Sequence, residues 1–256
     1  MNLFGYKIIK QKRVDAEFFN RNAIYKYFFN CKEKIVAFDV GANTGQTTSE
    51  LMFNFENISV HAFEPNSVAF DKLYNLYSMN RKVVLNKLAL GEKSGFLELN
   101  CYSYSAYSSF YKIDPESFIF KKQIYKKAQN CADELYSPKK ETVNIDTLDG
   151  YCSNNAIDCI DILKIDVQGY EENVLLGGLN LLKANSVKLI IMEITFDDYY
   201  SHSTSFFDIE SILLKQNYVF WDISHIYKDL KRGRTCWVDA IYVNRDFLKT
   251  RLSEED

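Results

Sequence analysis

An acidic residue followed by a glycine-containing turn stands near the start of the chain. The apolar run 35–40 contains Asp39 near its end, and Gly41 and Gly45 frame the turn that follows. Glycines let the backbone turn sharply and approach a ligand closely. The helix predicted over 44–55 would offer unpaired N–H groups to an electronegative part of that ligand. The segment therefore indicates a small-molecule site at the end of a buried strand.

The spacing of the two glycines separates this turn from a dinucleotide-binding loop. The G-x-G-x-x-G fingerprint is absent, because three residues lie between Gly41 and Gly45. A carboxylate such as Asp39 would repel a diphosphate, whereas it accepts hydrogen bonds from an ammonium group. The pattern therefore disfavours a nicotinamide-dependent dehydrogenase, and reduced-cofactor fluorescence on mixing would test that alternative.

A second acidic residue strengthens the interpretation of a nucleoside site. Glu64 directly follows the predicted strand 59–63 and lies about twenty residues beyond Gly41. A carboxylate at the end of the second strand of an α/β unit is placed to accept hydrogen bonds from ribose hydroxyls. The turn and the carboxylate together predict a nucleoside cofactor without a pyrophosphate.

These residues need a parallel sheet to bring them together, and the remaining pattern supplies one. Short, almost continuous apolar runs alternate with helical stretches, as in a sheet that is buried on both faces. Predicted strands cover 35–40, 59–63, 83–89, 160–166, 187–194, 218–223 and 237–243, and predicted helices cover 44–55, 67–79, 171–184 and 207–215. The fold class expected is therefore α/β, with a Rossmann-like, doubly wound sheet.

Two segments fall outside this alternation. Residues 1–34 are predicted to form an N-terminal helical cap, in which Phe18, Phe19, Ala23 and Phe29 line one side of a helix. The single catalytic domain is then 35–256. The stretch at about 101–140 is rich in Tyr, Ser and Lys and is too long for an ordinary connection. We predict that it is a substrate lid.

Composition narrows the choice of partner and compartment. The 256-residue chain has 47% hydrophobic residues and a formal net charge of −3, which argues against nucleic acid as the main partner. Its six cysteines form no C-x-x-C pair, so we expect reduced thiols and no metal site. The sequence has neither a secretory signal pattern nor an apolar run long enough to span a bilayer. We expect a cytoplasmic protein without a membrane span. Its oligomeric state is left open.

Taken together, six short motifs resemble the FkbM family of S-adenosylmethionine-dependent methyltransferases. They occur in the family's order over about residues 35–195. They are FDVGANTGQ at 38–46, FEPN at 63–66, LALG at 88–91, TLD at 147–149, LKIDVQGYE at 163–171 and IIMEI at 190–194. The resemblance implies a seven-stranded sheet whose last strand is antiparallel, S-adenosyl-L-methionine as cofactor, and frequent O-methylation of sugars or polyketide-derived natural products.

The resemblance also implies roles for particular residues. One group would surround the methionine part of the cofactor, and a second would contact its ribose or adenine. The first group is Asp39, Gly41, Asn43 and Gly45, and the second is Glu64, at the ribose, with Asn66, Ala89 and Leu90. Gln168 departs from the family, which more often has Glu there, so a charge near the site is lost.

Methyl transfer to a hydroxyl needs alignment of the acceptor and a group that takes its proton. Asp166 and Glu193 end two predicted strands, at the edge of the sheet where ligands bind. Asp166 is the first choice for this role, with Glu193 as its partner and Lys164 on the same side of the strand. His202 is predicted at the mouth of the site. His225, which ends a predicted strand, is a further candidate for proton transfer, whereas His61 is expected to be a core histidine. A cation could bind between Asp166 and Glu193, but the spacing does not require one.

The sequence thus predicts an O-methyltransferase that acts on a hydroxyl of a sugar or nucleotide-linked sugar, in the biosynthesis of a bacterial capsule or lipopolysaccharide. Two alternatives stay open. One is an N-methyltransferase of a small phosphorylated or amino metabolite, and the other is a non-catalytic nucleoside-binding scaffold. A nucleic-acid amino-methyltransferase is disfavoured, because Asp166-Val167-Gln168-Gly169 stands where such enzymes carry a D/N-P-P-Y/F motif.

Overall fold

A computed structural model of the chain describes residues 2–3, 6–7, 21–114, 137–196, 200–229 and 233–253. Its strands are β1 (Asn2–Leu3), β2 (Tyr6–Lys7), β3 (Lys34–Val40), β4 (Asn57–Phe63), β5 (Val83–Asn86), β6 (Ala89–Leu90), β7 (Gly95–Cys101), β8 (Lys139–Asp146), β9 (Ile160–Ile165), β10 (Val187–Thr195), β11 (Tyr218–Asp229) and β12 (Arg234–Asn244). Its helices are α1 (Arg21–Phe28), α2 (Gln46–Asn54), α3 (Ser67–Tyr77), α4 (Leu148–Asn154), α5 (Glu171–Leu176), α6 (Leu179–Lys183), α7 (Phe206–Leu213) and α8 (Arg245–Ser253).

The central sheet has seven strands in the order β11-β12-β10-β9-β3-β4-β5. Strands β10, β9, β3, β4 and β5 pair in parallel, and β12 is antiparallel to both of its neighbours. The predicted fold class, a doubly wound α/β sheet that is mostly parallel with an antiparallel last strand, is confirmed. Apolar residues form one cluster on each face of this sheet. Helix α1 packs on one of these faces through Ile24, Tyr25 and Phe28.

The structure corrects several predicted element boundaries. The predicted strand 83–89 ends at Asn86, and Ala89 starts a strand of a separate three-stranded sheet, β6-β8-β7, that the sequence did not indicate. The predicted helix 171–184 is two helices separated at Gly177, where a Cβ atom would lie 2.0 Å from the carbonyl oxygen of Gly91. Close packing against another backbone therefore interrupts the helix.

The flanking predictions are only partly within the described residues. In the predicted N-terminal cap, Phe29 is buried and Ala23 is half-buried, whereas Phe18 and Phe19 lie outside the described part of the chain. Of the predicted lid, residues 101–114 and 137–140 are described. The division into a cap, a catalytic domain and a lid stays a prediction. Within the described ranges no helix is long and apolar enough to cross a membrane.

Candidate functional site

The carboxyl ends of three neighbouring strands meet at the glycine turn. The amides of Gly41 and Ala42 donate to the carbonyl of Phe63 at 3.0 and 2.9 Å, and the amide of Asp166 donates to the carbonyl of Val40 at 2.9 Å. Gly41 has a φ of +86°, and a Cβ atom there would lie 1.9 Å from the carbonyl oxygen of Asp166. Only glycine allows both this conformation and this approach. The turn thereby places the ends of β3, β4 and β9 side by side.

These strand ends border a cleft of about 650 Å³ that is partly open to solvent. Five of the predicted cofactor residues line this cleft, and so does one predicted catalytic residue. They are Gly41, Asn43, Glu64, Ala89, Leu90 and Asp166.

Glu64 is buried at the end of β4 and is held by two backbone amides. Its carboxylate oxygens accept hydrogen bonds from the amides of Asn43 and Asn66, both at 2.8 Å. Burial raises the pKa of Glu64 to about 7, although these two amides act to lower it. Each carboxylate oxygen has a second lone pair. The group is therefore a fixed acceptor whose remaining capacity is available to hydroxyl donors in the cleft.

Asn66 stabilises this arrangement instead of lining the cleft. Its side-chain oxygen accepts from the amide of Ala69 at 3.0 Å and caps helix α3. Its side-chain nitrogen donates to Ser108 Oγ at 3.2 Å. Asn66 therefore connects the Glu64 loop to the segment that follows β7.

Part of the predicted lid, within residues 105–110, lines the cleft. Ser105 donates through Oγ to Asn43 Oδ1 at 2.8 Å, and Ser109 donates through Oγ to the carbonyl of Gln168 at 2.7 Å. Ser105, Ser109 and Phe110 line the cleft opposite the strand ends. Hydroxyl groups of this segment thus join the first turn of the sheet to the turn after β9, across the mouth of the site.

Asp39 lies below the cleft and does not line it. It is 2% exposed, and its Oδ2 accepts from Thr48 Oγ1 at 2.6 Å. Burial raises the pKa of Asp39 to about 6, while Thr48 and the charge of Lys164 act in the opposite direction. Gly45, with a φ of +93°, starts helix α2 and also lies outside the cleft lining. The predicted contacts of Asp39 and Gly45 with a cofactor stay predictions.

Gln168 joins the two predicted catalytic carboxylates. Its Nε2 donates to Asp166 Oδ1 at 2.8 Å and to Glu193 Oε1 at 3.0 Å, and its Oε1 lies 2.9 Å from the hydroxyl of Tyr200. The Asp166 side chain is 34% exposed and faces the cleft, whereas Glu193 does not line it. Burial and the negative charge of Asp166 raise the pKa of Glu193 well above its usual range. Of the two carboxyl groups, Asp166 is therefore the one accessible from the cleft, and its predicted role as proton acceptor stays a prediction.

A buried charge cluster lies beneath Asp166, and two of its members were not predicted. Lys164 is 1% exposed; its Nζ lies 3.0 Å from Asp239 Oδ1 and 3.9 Å from Asp166 Oδ2. Arg21 Nε and His225 Nδ1 lie 3.7 and 3.3 Å from Asp239 Oδ2. Burial acts to lower the pKa of Lys164, but Asp239 and Asp166 outweigh it and raise that pKa. Lys164 thus supports Asp166 from below and does not line the cleft.

The signal for Asp239 was present in the sequence but incomplete. Asp239 is the single acidic residue in the otherwise apolar run 237–243, which indicates a buried charge with a partner. The partner could not be read from the chain, because the pairing follows from strand register: Asp239 is opposite Glu193, and Lys164 is opposite Asp39. No sequence pattern indicated that Arg21 is buried, since it begins helix α1, outside the alternating strands and helices of the sheet.

Two histidines behave differently from one another. His202 is exposed, its ring meets Tyr111 edge-on with centroids 5.0 Å apart, and it does not line the cleft. Its predicted catalytic role stays a prediction. His61 stacks on Phe38 inside the sheet, and its Nδ1 lies 2.8 Å from Tyr151 Oη, as expected of a core histidine with a polar partner. Within the described ranges, no three His, Cys, Asp or Glu side chains are grouped so as to hold a metal ion.

Two solved methyltransferase structures match most of this chain. An FkbM methyltransferase from Methylobacillus flagellatus KT matches 82% of this chain and 44% of its own length, with 16% identity and a TM-score of 0.50. The chain thus spans less than half of that protein. An S-adenosylmethionine-dependent methyltransferase from Aquifex aeolicus matches 89% of this chain and 91% of its own, with 12% identity and a TM-score of 0.43. No curated protein matches the sequence.

The sequence itself carries the family assignment. The profile of the FkbM methyltransferase domain matches residues 39–220, which is more than half of the chain. The matched range begins at Asp39, near the end of β3, and includes Glu64, Asp166, Gln168 and Glu193. The chain belongs to the FkbM family of methyltransferases, and its cofactor is S-adenosylmethionine.

Proposed function

We propose that this protein is an O-methyltransferase whose acceptor is a hydroxyl group of a sugar or nucleotide-linked sugar, in the biosynthesis of a bacterial capsule or lipopolysaccharide. The observation that carries the proposal is the position of Asp166. Its carboxylate is accessible at the cleft, Gln168 fixes one oxygen at 2.8 Å, and Lys164 lies 3.9 Å from the other. A fixed, accessible carboxylate suits an acceptor that must lose a proton.

The residues of the cleft fit S-adenosylmethionine. Glu64 offers two oxygens, each already held by one amide, to ribose hydroxyls. The apolar side chains of Leu88, Leu90 and Leu99 line the same cleft and suit the adenine ring. The backbone of the turn at Gly41 and Asn43, which lines the same cleft, would lie against the methionine part. When bound, this cofactor supplies a methyl group activated by a positively charged sulfur.

The protein's own part in the reaction is positioning and proton transfer. The acceptor hydroxyl would donate to Asp166, which takes its proton as the new C–O bond forms and the C–S bond breaks. Gln168 keeps the carboxylate oriented and also donates to Glu193, whose pKa is raised by burial and by the charge of Asp166. The hydroxyl-rich segment over the cleft excludes water from the acceptor. A sugar is favoured because Ser105, Ser108 and Ser109 provide polar partners for a polyhydroxylated substrate.

The biosynthetic role follows from this substrate class and from the family. Family members frequently methylate sugars, and methylated sugars are constituents of surface polysaccharides. We place the protein in the cytoplasm, where nucleotide-linked sugars are made.

The test is methyl transfer from methyl-labelled S-adenosylmethionine to a panel of nucleotide-linked sugars and pyranosides, with amino sugars and phosphorylated amines as competing acceptors. We expect an O-methyl product, identified by mass spectrometry and NMR. The Asp166→Asn variant should lose roughly 10²- to 10⁴-fold in turnover and keep its affinity for the cofactor. Methylation of amines alone would contradict the proposal, as would full turnover of Asp166→Asn with a sugar acceptor.

A further inference from the structure

The end hairpin of the sheet, β11 and β12, carries an aromatic pair beside the predicted catalytic carboxylates. The rings of Tyr227 and Trp237 stack with centroids 5.2 Å apart and planes inclined by 7°. Tyr227 is 40% exposed, and Trp237 is half-buried. Two large, partly exposed aromatic rings at the carboxyl edge of an α/β sheet lie where such folds bind their ligands.

Strand register places this pair one step beyond the charge cluster. Trp237 is opposite Thr195 on one side and Tyr227 on the other. Asp239, two residues along β12, is opposite Glu193. Residues two apart in a strand share a face and are about 7 Å apart, which is close to the width of a sugar ring. The aromatic pair and Glu193 therefore lie on the same face at neighbouring positions.

A β-bulge builds this arrangement. From Ser224 to Tyr227, β11 advances three residues while β12 advances two, and the extra residue gives His225 a φ of +46°. A non-glycine residue in this conformation is uncommon. The bulge returns Tyr227 to the ring of Trp237 and brings His225 Nδ1 to 3.3 Å from Asp239 Oδ2. Bulges next to active sites commonly redirect side chains in this way.

The segment over the cleft carries two further tyrosines. The rings of Tyr104 and Tyr107 are 5.1 Å apart, and Tyr104 is 65% exposed. Burial raises the pKa of Tyr107, and so do the phenols of Tyr104 and Tyr227. The carbonyl of Tyr107 lies 3.2 Å from the hydroxyl of Tyr200, which contacts Gln168. Through Tyr200 and Gln168, this tyrosine segment is connected to Asp166.

We propose that Tyr227 and Trp237 form the platform on which the pyranose ring of the acceptor stacks, with the exposed His225 imidazole at its edge. This inference rests on the proposed function, because it assigns the acceptor subsite of the same reaction. A pyranose has an apolar C–H face that packs on the electron-rich face of an aromatic ring, and its hydroxyls need polar partners at the rim. His225, Asp166 and the tyrosine hydroxyls supply such partners. A flat aromatic acceptor would leave these polar groups unpaired.

A second tyrosine–tryptophan pair in the chain is a matched control. Tyr27 and Trp221 stack with centroids 5.6 Å apart, but Trp221 also meets Phe28 edge-on at 5.2 Å in the packing of helix α1. The chain has two tryptophans. The Trp221→Phe variant therefore has Trp237 as its sole tryptophan, and Trp237→Phe has Trp221 alone.

The experiment records tryptophan emission of both variants, saturated with S-adenosylhomocysteine, during titration with methyl hexopyranosides and nucleotide-linked hexoses. The titration reaches about 10 mM, which largely fills a site of millimolar affinity. We expect a saturable change in Trp237 emission with at least one pyranoside and no change in Trp221 emission. Unchanged Trp237 emission with every pyranoside would overturn the proposal. A response to simple phenols alone, or the same response from Trp221, would overturn it as well.

A kinetic measurement separates this inference from the proposed function. With a methylated pyranoside acceptor, Trp237→Leu should raise the KM of the acceptor about 10-fold or more, with kcat and cofactor affinity nearly unchanged. If pyranosides change Trp237 emission but no sugar is methylated, the aromatic platform is supported and the proposal of sugar O-methylation is contradicted. If sugars are methylated and Trp237→Leu leaves their KM unchanged, sugar O-methylation is supported and the aromatic platform is contradicted.

Discussion

Replacement of Lys164 by methionine gives a quantitative test of the charge cluster. Lys164 Nζ lies 3.0 Å from Asp239 Oδ1 in the sheet, where both side chains are almost fully buried. Lys249 makes an ion pair of nearly the same length, 3.1 Å to Asp246 Oδ1, on the surface, with its side chain 76% exposed. The same substitution at the two positions therefore compares one contact in two environments.

The expected costs differ because burial removes water from the partner. Lys164→Met leaves the Asp239 carboxylate buried, and among the described residues Arg21 at 3.7 Å and His225 at 3.3 Å remain as its ion-pair partners. Loss of one partner of a buried pair costs roughly 3–5 kcal/mol. An exposed pair contributes at most about 1 kcal/mol, since water and salt screen it. Lys249→Met should therefore change the free energy of unfolding very little.

Urea denaturation measures both variants. At an m-value of roughly 3 kcal/mol/M, Lys164→Met should lower the urea midpoint by about 1 M or more. The double variant Lys164→Met, Asp239→Asn should recover much of the loss, because no unpaired carboxylate remains. Equal midpoints for Lys164→Met and Lys249→Met would refute the reasoning, and so would a double variant that is less stable than Lys164→Met alone.

Three further predictions concern the cleft. Burial places the pKa of Glu64 at about 7. Affinity for S-adenosylhomocysteine should therefore fall below pH 7 by up to about 10-fold per pH unit, because the protonated carboxyl group can no longer accept from both ribose hydroxyls. Titrations between pH 6 and 8 should show a weaker, pH-independent affinity for Glu64→Gln. Gln168→Glu puts a third carboxylate where an amide now lies 2.8 Å from Asp166 Oδ1, and like charges about 4 Å apart cost about 4 kcal/mol at an intermediate dielectric. The acid limb of the kcat–pH profile should therefore move up by about one unit or more, and an unmoved profile would contradict this. Gly41→Ala should lower the unfolding temperature more than Gly233→Ala. Both glycines have positive φ, but of the two only Gly41 has backbone atoms within 4 Å of the position that the new Cβ would take. A larger decrease for Gly233→Ala in thermal unfolding would be the contrary result.

The central strands were predictable because burial on both faces leaves little freedom in composition. The runs that became β3, β4, β9 and β10 are apolar almost throughout, so their positions were found to within one or two residues. The boundaries that failed depend on distant contacts. The break at Gly177 follows from the backbone of Gly91, more than eighty residues away in sequence.

In the candidate site, too, local sequence patterns predicted some residues, whereas contacts between distant segments determine the others. Gly41, Glu64 and Asp166 were predictable because each ends a recognisable strand, and parallel strands end at a common edge. The link between Asp166 and Glu193 was not, since it depends on the rotamer of Gln168 and on the turn in which this residue has a φ of +56°. The role of Asp239 likewise depends on which strand is paired with the antiparallel β12.

The central claim is that the cleft beside Glu64 holds S-adenosylmethionine through its ribose. Calorimetric titration of the purified chain with S-adenosylmethionine tests it most directly, with Glu64→Ala as the perturbation and Glu92→Ala, an exposed carboxylate, as the control. We expect saturable binding by the wild type and by Glu92→Ala, and binding at least about 10-fold weaker by Glu64→Ala, because a charged acceptor contributes about 1.5–3 kcal/mol. Equal affinity of the wild type and Glu64→Ala, or no binding by folded wild-type protein, would contradict it.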